Sequence, residues 1–378
     1  MKELLVAVSR LVTVALVCAL GSSATAQAQG TGVTTIAAFA PPLLPESVAA
    51  DAAGALYTAS FVTGDLVKIA PDGTRSTLAK LNPGEGNVFG VAAPGDGSVL
   101  IVVGSQNAPG ADTNGVWRVR PDGTKQLAAA IPPGGAVNDV LPRPGGGFYV
   151  SDSGLGAIYR VTPNGTVEKW AEHDLLKPNQ QACPQGFPLP VGVNGMTFAP
   201  DGSLLVTNTN AATIVRVPVN PNAGAGTPTV WAGPDCERLL GADGPTADGR
   251  GGVYVAVNLL NTVVQVAQGG TVRTVATAAD GLDFPSSVKR GSGRYAGSLV
   301  VANFAALAAT TPGGTPHPAL LAIGPSRLGG PPVGLPRTGA PGGATPLPWV
   351  GLMLGGVVAG AAAALANRPR VTPGGPSR

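Results

Sequence analysis

Charge is scarce in this chain: Asp, Glu, Lys and Arg make up 12% of its 378 residues, and the formal net charge is +3. The basic residues form no block and are not interleaved with aromatics, which are only 4% of the composition. The electrostatic footprint of a nucleic-acid binder is therefore missing, and nucleic acid is excluded as a partner. Histidine is nearly absent as well, with His173 and His317 alone, so zinc held by imidazole is disfavoured. No Gly-x-Ser-x-Gly elbow, Gly-Lys-Ser/Thr loop or His-Glu-x-x-His helix occurs. Serine-hydrolase, nucleotide and zinc-protease chemistries thereby lose their signatures. His173 reads as a surface loop residue, and Trp117, Trp170 and Trp231 read as packing residues on outer strands.

Cysteine is limited to three residues, Cys18, Cys183 and Cys236. Cys18 falls in an apolar run (11–20) that follows Lys2 and Arg10 and precedes the small residues of Ala26-Gln27-Ala28. That order is expected to be a secretory signal peptide, residues 1–28, with a retained N-terminal membrane anchor as the competing reading. Two cysteines then remain in an oxidising compartment, and Cys183 with Cys236 is expected to form one disulfide clamping neighbouring loops. Two free buried thiols are the alternative.

The other end reads Leu335-Pro336-Arg337-Thr338-Gly339, a Pro/Gly spacer, an apolar stretch (347–366), then Arg368 and Arg370 in a basic tail (367–378). Taken together these resemble a sortase sorting signal. The resemblance implies cleavage between Thr338 and Gly339 and attachment to a cell-wall peptide, with the 347–366 stretch serving as a transmembrane helix until then. A plain membrane anchor is the competing reading. In either case the chain is expected to be exported to the cell surface, with residues 325–346 as linker, and to be a monomer.

What is abundant is Gly, 56 residues, and Pro, 37, and they recur in a pattern. Pro71-Asp72-Gly73, Pro121-Asp122-Gly123 and Pro163-Asn164-Gly165 are hairpin signals between apolar segments. An 11-residue interval recurs five times, from Glu46 to Tyr57, Phe89 to Leu100, Asn138 to Tyr149, Asn194 to Leu205 and Asp243 to Tyr254. Equivalent positions, with Ser286 as the sixth, lie 43 to 56 residues apart, enough for four short strands and their loops. The expected fold is all-β, a six-bladed β-propeller over residues 29–324, closed by the early segment 33–39 pairing onto the last blade.

In such a ring Glu46, Asn138, Asn194 and Asp243 converge near one axis. Carboxylate and amide oxygens without thiolate or imidazole suit a hard divalent cation, Ca²⁺ ahead of Mg²⁺, Mn²⁺ or Zn²⁺. The competing reading is local: Asn194-Gly195 and Asp243-Gly244 are also ordinary turn dipeptides.

Pro45-Glu46-Ser47-Val48, Val137-Asn138-Asp139-Val140, Val193-Asn194-Gly195-Met196 and Ala242-Asp243-Gly244 resemble, in order and register, the recurring elements of the SMP-30/gluconolactonase/strictosidine-synthase-like propellers. The resemblance implies Glu46, Asn194 and Asp243 as ligands of a single metal ion. Asn138 would face substrate or supply a fourth contact, with Asp139 beside it. It further implies hydrolysis of a lactone or ester, with Asp243 or Glu46 moving the proton. Ala136 stands where family lactonases commonly carry Arg, and Ser47-Val48 where Gly-Pro is usual, so a donor fork for a polyhydroxylated sugar is missing. The rival class is a non-catalytic surface module displaying propeller loops.

Overall fold

The computed structural model describes residues 32–329 apart from Ala108, Phe187 and Pro188. The signal-peptide, sorting-motif and membrane-helix expectations lie outside these residues. Among the described residues no helix is long and apolar enough to cross a membrane.

Short apolar segments separated by Gly-rich turns give strands of four to six residues. The chain opens with β1 (Val33–Ala38). A first antiparallel meander follows: β2 (Pro45–Ala50), β3 (Leu56–Ser60), β4 (Asp65–Ile69) and β5 (Arg75–Lys80). The second is β6 (Asn87–Ala92), β7 (Val99–Gly104), β8 (Gly115–Val119) and β9 (Lys125–Ala130). The third is β10 (Val137–Pro142), β11 (Phe148–Asp152), β12 (Ala157–Val161) and β13 (Val167–Glu172), and the fourth is β14 (Val193–Phe198), β15 (Leu204–Asn208), β16 (Thr213–Val217) and β17 (Thr229–Ala232). The fifth is β18 (Ala242–Ala247), β19 (Val253–Val257), β20 (Thr262–Val266) and β21 (Val272–Ala276). Last come β22 (Pro285–Arg290), β23 (Leu299–Asn303) and β24 (Ala319–Ile323), whose outer edge is filled by β1. One parallel pair, Gly244 with Ser287, joins the fifth and sixth meanders into an eight-stranded sheet.

The first strands touch in a cycle: β2 meets β6, β6 meets β10, and so on through β14, β18 and β22 back to β2. Between meanders lie apolar layers, such as Tyr57, Leu66, Val91 and Ile101, in which side chains from one sheet pack on the next. β1 pairs antiparallel with β24, from Val33 opposite Ile323 to Ala38 opposite Ala319, as expected for the 33–39 segment. Trp170 and Trp231 lie on the outermost strands β13 and β17, whereas Trp117 is on the third strand, β8.

The 11-residue interval is a hairpin register. Tyr57, Leu100, Tyr149, Leu205 and Tyr254 each pair with the residue three positions after the functional one, namely Ala49, Ala92, Leu141, Thr197 and Thr246. Just before those pairs, every first strand carries a β-bulge. The register shifts between Pro45 and Ser47, Val88 and Val91, Val137 and Val140, Val193 and Met196, Ala242 and Pro245, and Pro285 and Ser287. A bulge inserts one unpaired residue and re-aims its side chain. Glu46, Phe89, Asn138, Asn194, Asp243 and Ser286 all lie in these bulges; the first five come together from separate strands around one cavity, whereas Ser286 donates its hydroxyl to Glu46 O.

The turn reading of Asn194-Gly195 and Asp243-Gly244 is thereby corrected, since both dipeptides are inside strands. Their glycines serve close approach. A Cβ on Gly195 would stand 2.6 Å from Gly244 Cα, and one on Gly244 would stand 2.8 Å from Ser287 Cα. Only Gly lets neighbouring first strands come so near.

Candidate metal and substrate site

Glu46, Asn194 and Asp243 are 6%, 4% and 7% exposed and line one cavity of about 90 Å³ at the end of the ring where the bulges lie. Asn138 lines it too. Asp139, its neighbour in the bulge, does not. It is buried, and its carboxylate accepts the Met196 N–H at 2.9 Å, tying the third meander to the fourth. Beside the cavity-lining Asn138, Asp139 acts as a strap between sheets.

Burial of several carboxylates together sets the electrostatics. Glu46 is held well above its ordinary 4.5, first by burial and then by the negative charges of Asp243 and Asp139, with Lys289 opposing. Asp243 is likewise raised well above 3.8, chiefly by burial, against hydrogen bonds from Asn258 and the Gly244 N–H. Asp139 is raised by burial and relieved by Lys289 and by the Met196 and Val140 N–H groups. Two buried carboxylates that penalise each other's ionisation invite a cation.

The unsatisfied atoms point the same way. Glu46 Oε2, Asn194 Oδ1 and Asn258 Oδ1 are buried without a hydrogen-bond partner. Buried polar atoms are nearly always paired, so orphaned acceptor oxygens around one cavity call for a donor or an ion. Asn194 is already oriented: its Nδ2 donates to Thr209 Oγ1 at 3.0 Å, and Thr209 donates to Ala242 O at 2.8 Å, leaving the amide oxygen as the free acceptor. Asn258 Nδ2 donates to Asp243 Oδ2 at 3.0 Å and fixes that carboxylate. Among the described residues no three His, Cys, Asp or Glu side chains gather as a metal-holding group. The donor set that fits a cation here is mixed, with Glu46, Asp243 and the Asn194 amide oxygen, all hard oxygen donors.

Sequence reasoning missed a second circle of residues. Fifteen positions after Glu46, Asn138, Asn194 and Asp243 stand Phe61, Ser153, Thr209 and Asn258, and all four line the cavity. Each donates its backbone N–H to the carbonyl two residues before the bulge residue: Leu44, Ala136, Gly192 and Gly241. The same register in the second meander gives Gly104, over which the Phe89 ring sits; a Cβ there would lie 2.9 Å from Phe89 Cε2. Extending the 11-residue interval by four would have found this circle.

The Cys183–Cys236 disulfide is formed, with Cα atoms 5.5 Å apart across a separation of 53 residues. It joins the segment between β13 and β14, which brings Leu189, Pro190 and Val191 to the cavity, to the segment between β17 and β18. In the chain-entropy model a loop of this size contributes roughly 3 to 4 kcal/mol. His173 caps the short turn Asp174–Leu176, its Nδ1 accepting the Leu175 N–H, and does not line the cavity.

An all-β propeller with a bulge in every innermost strand and buried oxygen donors at its axis is the class that fold and site define. Residues 75–288, more than half of the chain, match the profile of the SMP-30/Gluconolactonase/LRE-like region, and the chain belongs to that family. Solved structures of similar fold include three enzymes or binding proteins. Regucalcin from Agrobacterium tumefaciens, a calcium-binding protein, is 19% identical with a TM-score of 0.55, covering 75% of this chain and 91% of its own. A gluconolactonase from Xanthomonas campestris is 17% identical with a TM-score of 0.54, covering 77% and 88%. A luciferin-regenerating enzyme is 14% identical with a TM-score of 0.57, covering 77% and 94%. Likeness at these identities speaks for the fold. No curated protein sequence matches this one.

Proposed function

We propose that this protein is a six-bladed propeller hydrolase that uses one divalent cation, Ca²⁺ first among candidates, to open a lactone or ester. The observation that carries the reading is the set of orphaned, buried acceptors, Glu46 Oε2 and Asn194 Oδ1, facing a cavity shared with Asp243. The six blades are supported by the cycle of first-strand contacts, and the lactonase class by family membership.

Glu46, Asn194 and Asp243 would hold the ion, and the Asn258 amide steadies Asp243 from behind. Once bound, the cation supplies Lewis-acid polarisation of a carbonyl and makes water acidic enough to act near neutral pH. Asp243 or Glu46 takes the proton from the attacking water and returns one to the leaving oxygen, so water adds across the acyl C–O bond and gives a hydroxy acid or an acid and alcohol. Asn138, from the third meander, supplies an amide to orient the substrate. The reading of the chain ends adds a location: export, then attachment to the cell wall by sortase through Thr338, with the membrane stretch as an intermediate anchor.

Metal content of the purified protein tests the proposal. About one divalent ion per chain is expected, lost in Asp243→Ala. Protein that takes up no metal from Ca²⁺, Mg²⁺, Mn²⁺ or Zn²⁺ would leave a non-catalytic module that displays its loops.

A further inference from the structure

The cavity is two-sided. Polar residues line it from three consecutive meanders: Asn138 and Ser153 from the third, Asn194 and Thr209 from the fourth, Asp243 and Asn258 from the fifth, with the Ser153 and Thr209 hydroxyls donated to Val193 O and Ala242 O. Across the axis the sixth, first and second meanders, also consecutive, contribute Phe284, Phe304, Phe61 and Phe89. These rings form one wall, with Phe61 edge-on to Phe89 at 5.2 Å and to Phe304 at 5.1 Å, and Phe284 at 6.1 Å from Phe304. Leu189 and Val191 extend the apolar surface. Glu46 and Asn87 are the polar side chains on that half, and Asn87 already donates its amide to Phe61 O at 3.3 Å.

The wall is held against backbone preference. Phe284 has φ of 49° and Ala305, next to Phe304, has φ of 57°. A bulky residue with positive φ is costly and persists where surroundings fix it, most often at functional sites. Here the Phe284 N–H is held by Asn261 Oδ1 at 2.6 Å and the Ala305 N–H by Asp283 O at 2.9 Å.

We infer that the site selects small apolar lactones or esters, alkyl- or aryl-substituted, and rejects polyhydroxylated sugar lactones. This deepens the hydrolase reading and rests on it for turnover, although not for binding. An acyl oxygen facing the third to fifth meanders would find the Asn138 amide and the cation that Asp243, Asn194 and, from the opposite half, Glu46 would hold, while the substituent lies on phenylalanine. A sugar lactone in the same pose would turn hydroxyls onto rings that offer no hydrogen bond, and each such hydroxyl costs about tenfold in affinity. The volume of about 90 Å³ is small beside drug-sized sites of roughly 300 to 1,000 Å³, which limits the ligand to a short ester or one ring.

The test uses the full-length chain with Ca²⁺, a panel of δ-lactones and two lactams as unreactive probes. Expected are kcat/KM values at least about 100-fold higher for an alkyl δ-lactone and phenyl acetate than for glucono-δ-lactone. Phe89→Ser should raise KM for the apolar substrates about tenfold at unchanged kcat, with Phe89→Leu restoring it. Phe89 is half-buried and packs over Gly104, so its replacement should spare the fold; an unchanged melting curve checks this. Equal or better turnover of glucono-δ-lactone would overturn the substrate class and leave the hydrolase intact. If nothing is hydrolysed, thermal shift with an alkyl δ-lactam and gluconolactam decides: stabilisation by the alkyl lactam alone sustains the apolar ligand while the hydrolase reading falls. Stabilisation by neither, or by gluconolactam, overturns the inference.

Discussion

At the scale of single residues the site is a set of charges the fold cannot keep ionised by itself. Glu46, Asp139 and Asp243 are buried within one another's influence, and Lys289, half-buried on β22, is the cation acting on all three. In the metal-free protein Glu46 and Asp243 titrate above their ordinary 4.5 and 3.8. The folded state therefore keeps protons that the unfolded chain releases once pH exceeds about 4. Stability from this source is complete below that point and declines as pH rises toward the raised values. Metal-free protein should accordingly lose melting temperature as pH rises above about 4.5 more steeply than Asp243→Asn, which cannot release that proton. Ca²⁺ should restore the wild-type value at pH 7 and do little for the variant. Parallel pH profiles for the two proteins, measured in chelator, would contradict the coupling.

Among elements, the innermost strand with its bulge is the repeated working part, and much of it was legible beforehand. Glu46, Asn138, Asn194 and Asp243 could be found because a hairpin with fixed register keeps a fixed interval to the next strand. What stayed hidden has physical reasons. Ser153, Thr209 and Asn258 follow a strand, where any polar residue passes for turn chemistry. Phe304 escaped because the sixth meander spaces it 18 residues from Ser286 instead of 15. Asn138 and Asp139 share one bulge, and composition cannot say which of two adjacent side chains faces the axis; geometry sends Asp139 to Met196. The glycines after Asn194 and Asp243 suggested turns, yet their use is steric. Gly244→Ala should therefore cost roughly 1 to 3 kcal/mol, because its Cβ meets Ser287 Cα and Ser286 O, which are backbone atoms with little freedom to move. Chemical denaturation would measure this, and a neutral result would mean that β18 and β22 can separate without penalty.

Over the whole molecule the cycle of strands depends on one non-local pairing. Every meander but the last is built from consecutive segments, while β1 reaches from residue 33 to the end of the ring at Ile323. Its hold is more than the ladder: Phe39 N–H donates to Pro318 O at 2.8 Å, Gly324 N–H to Gly32 O at 2.6 Å, and Arg75 Nη1 to Ala38 O at 2.7 Å. Ala37 is buried against Leu320 and Val300 in the layer between the first and sixth meanders. Removing β1 would leave the β24 edge open to pairing with another chain and would uncover that layer. Since β22 and β23 carry Ser286 and the approach to Phe304, loosening should spread to the aromatic side of the cavity before it reaches the polar side. A protein lacking residues 1–38 should therefore lose amide hydrogen-exchange protection first in β23 and β24, while β10 to β13 stay protected, and should associate at high concentration. Uniform loss of protection around the ring would instead make the propeller one cooperative unit in which closure is felt everywhere at once.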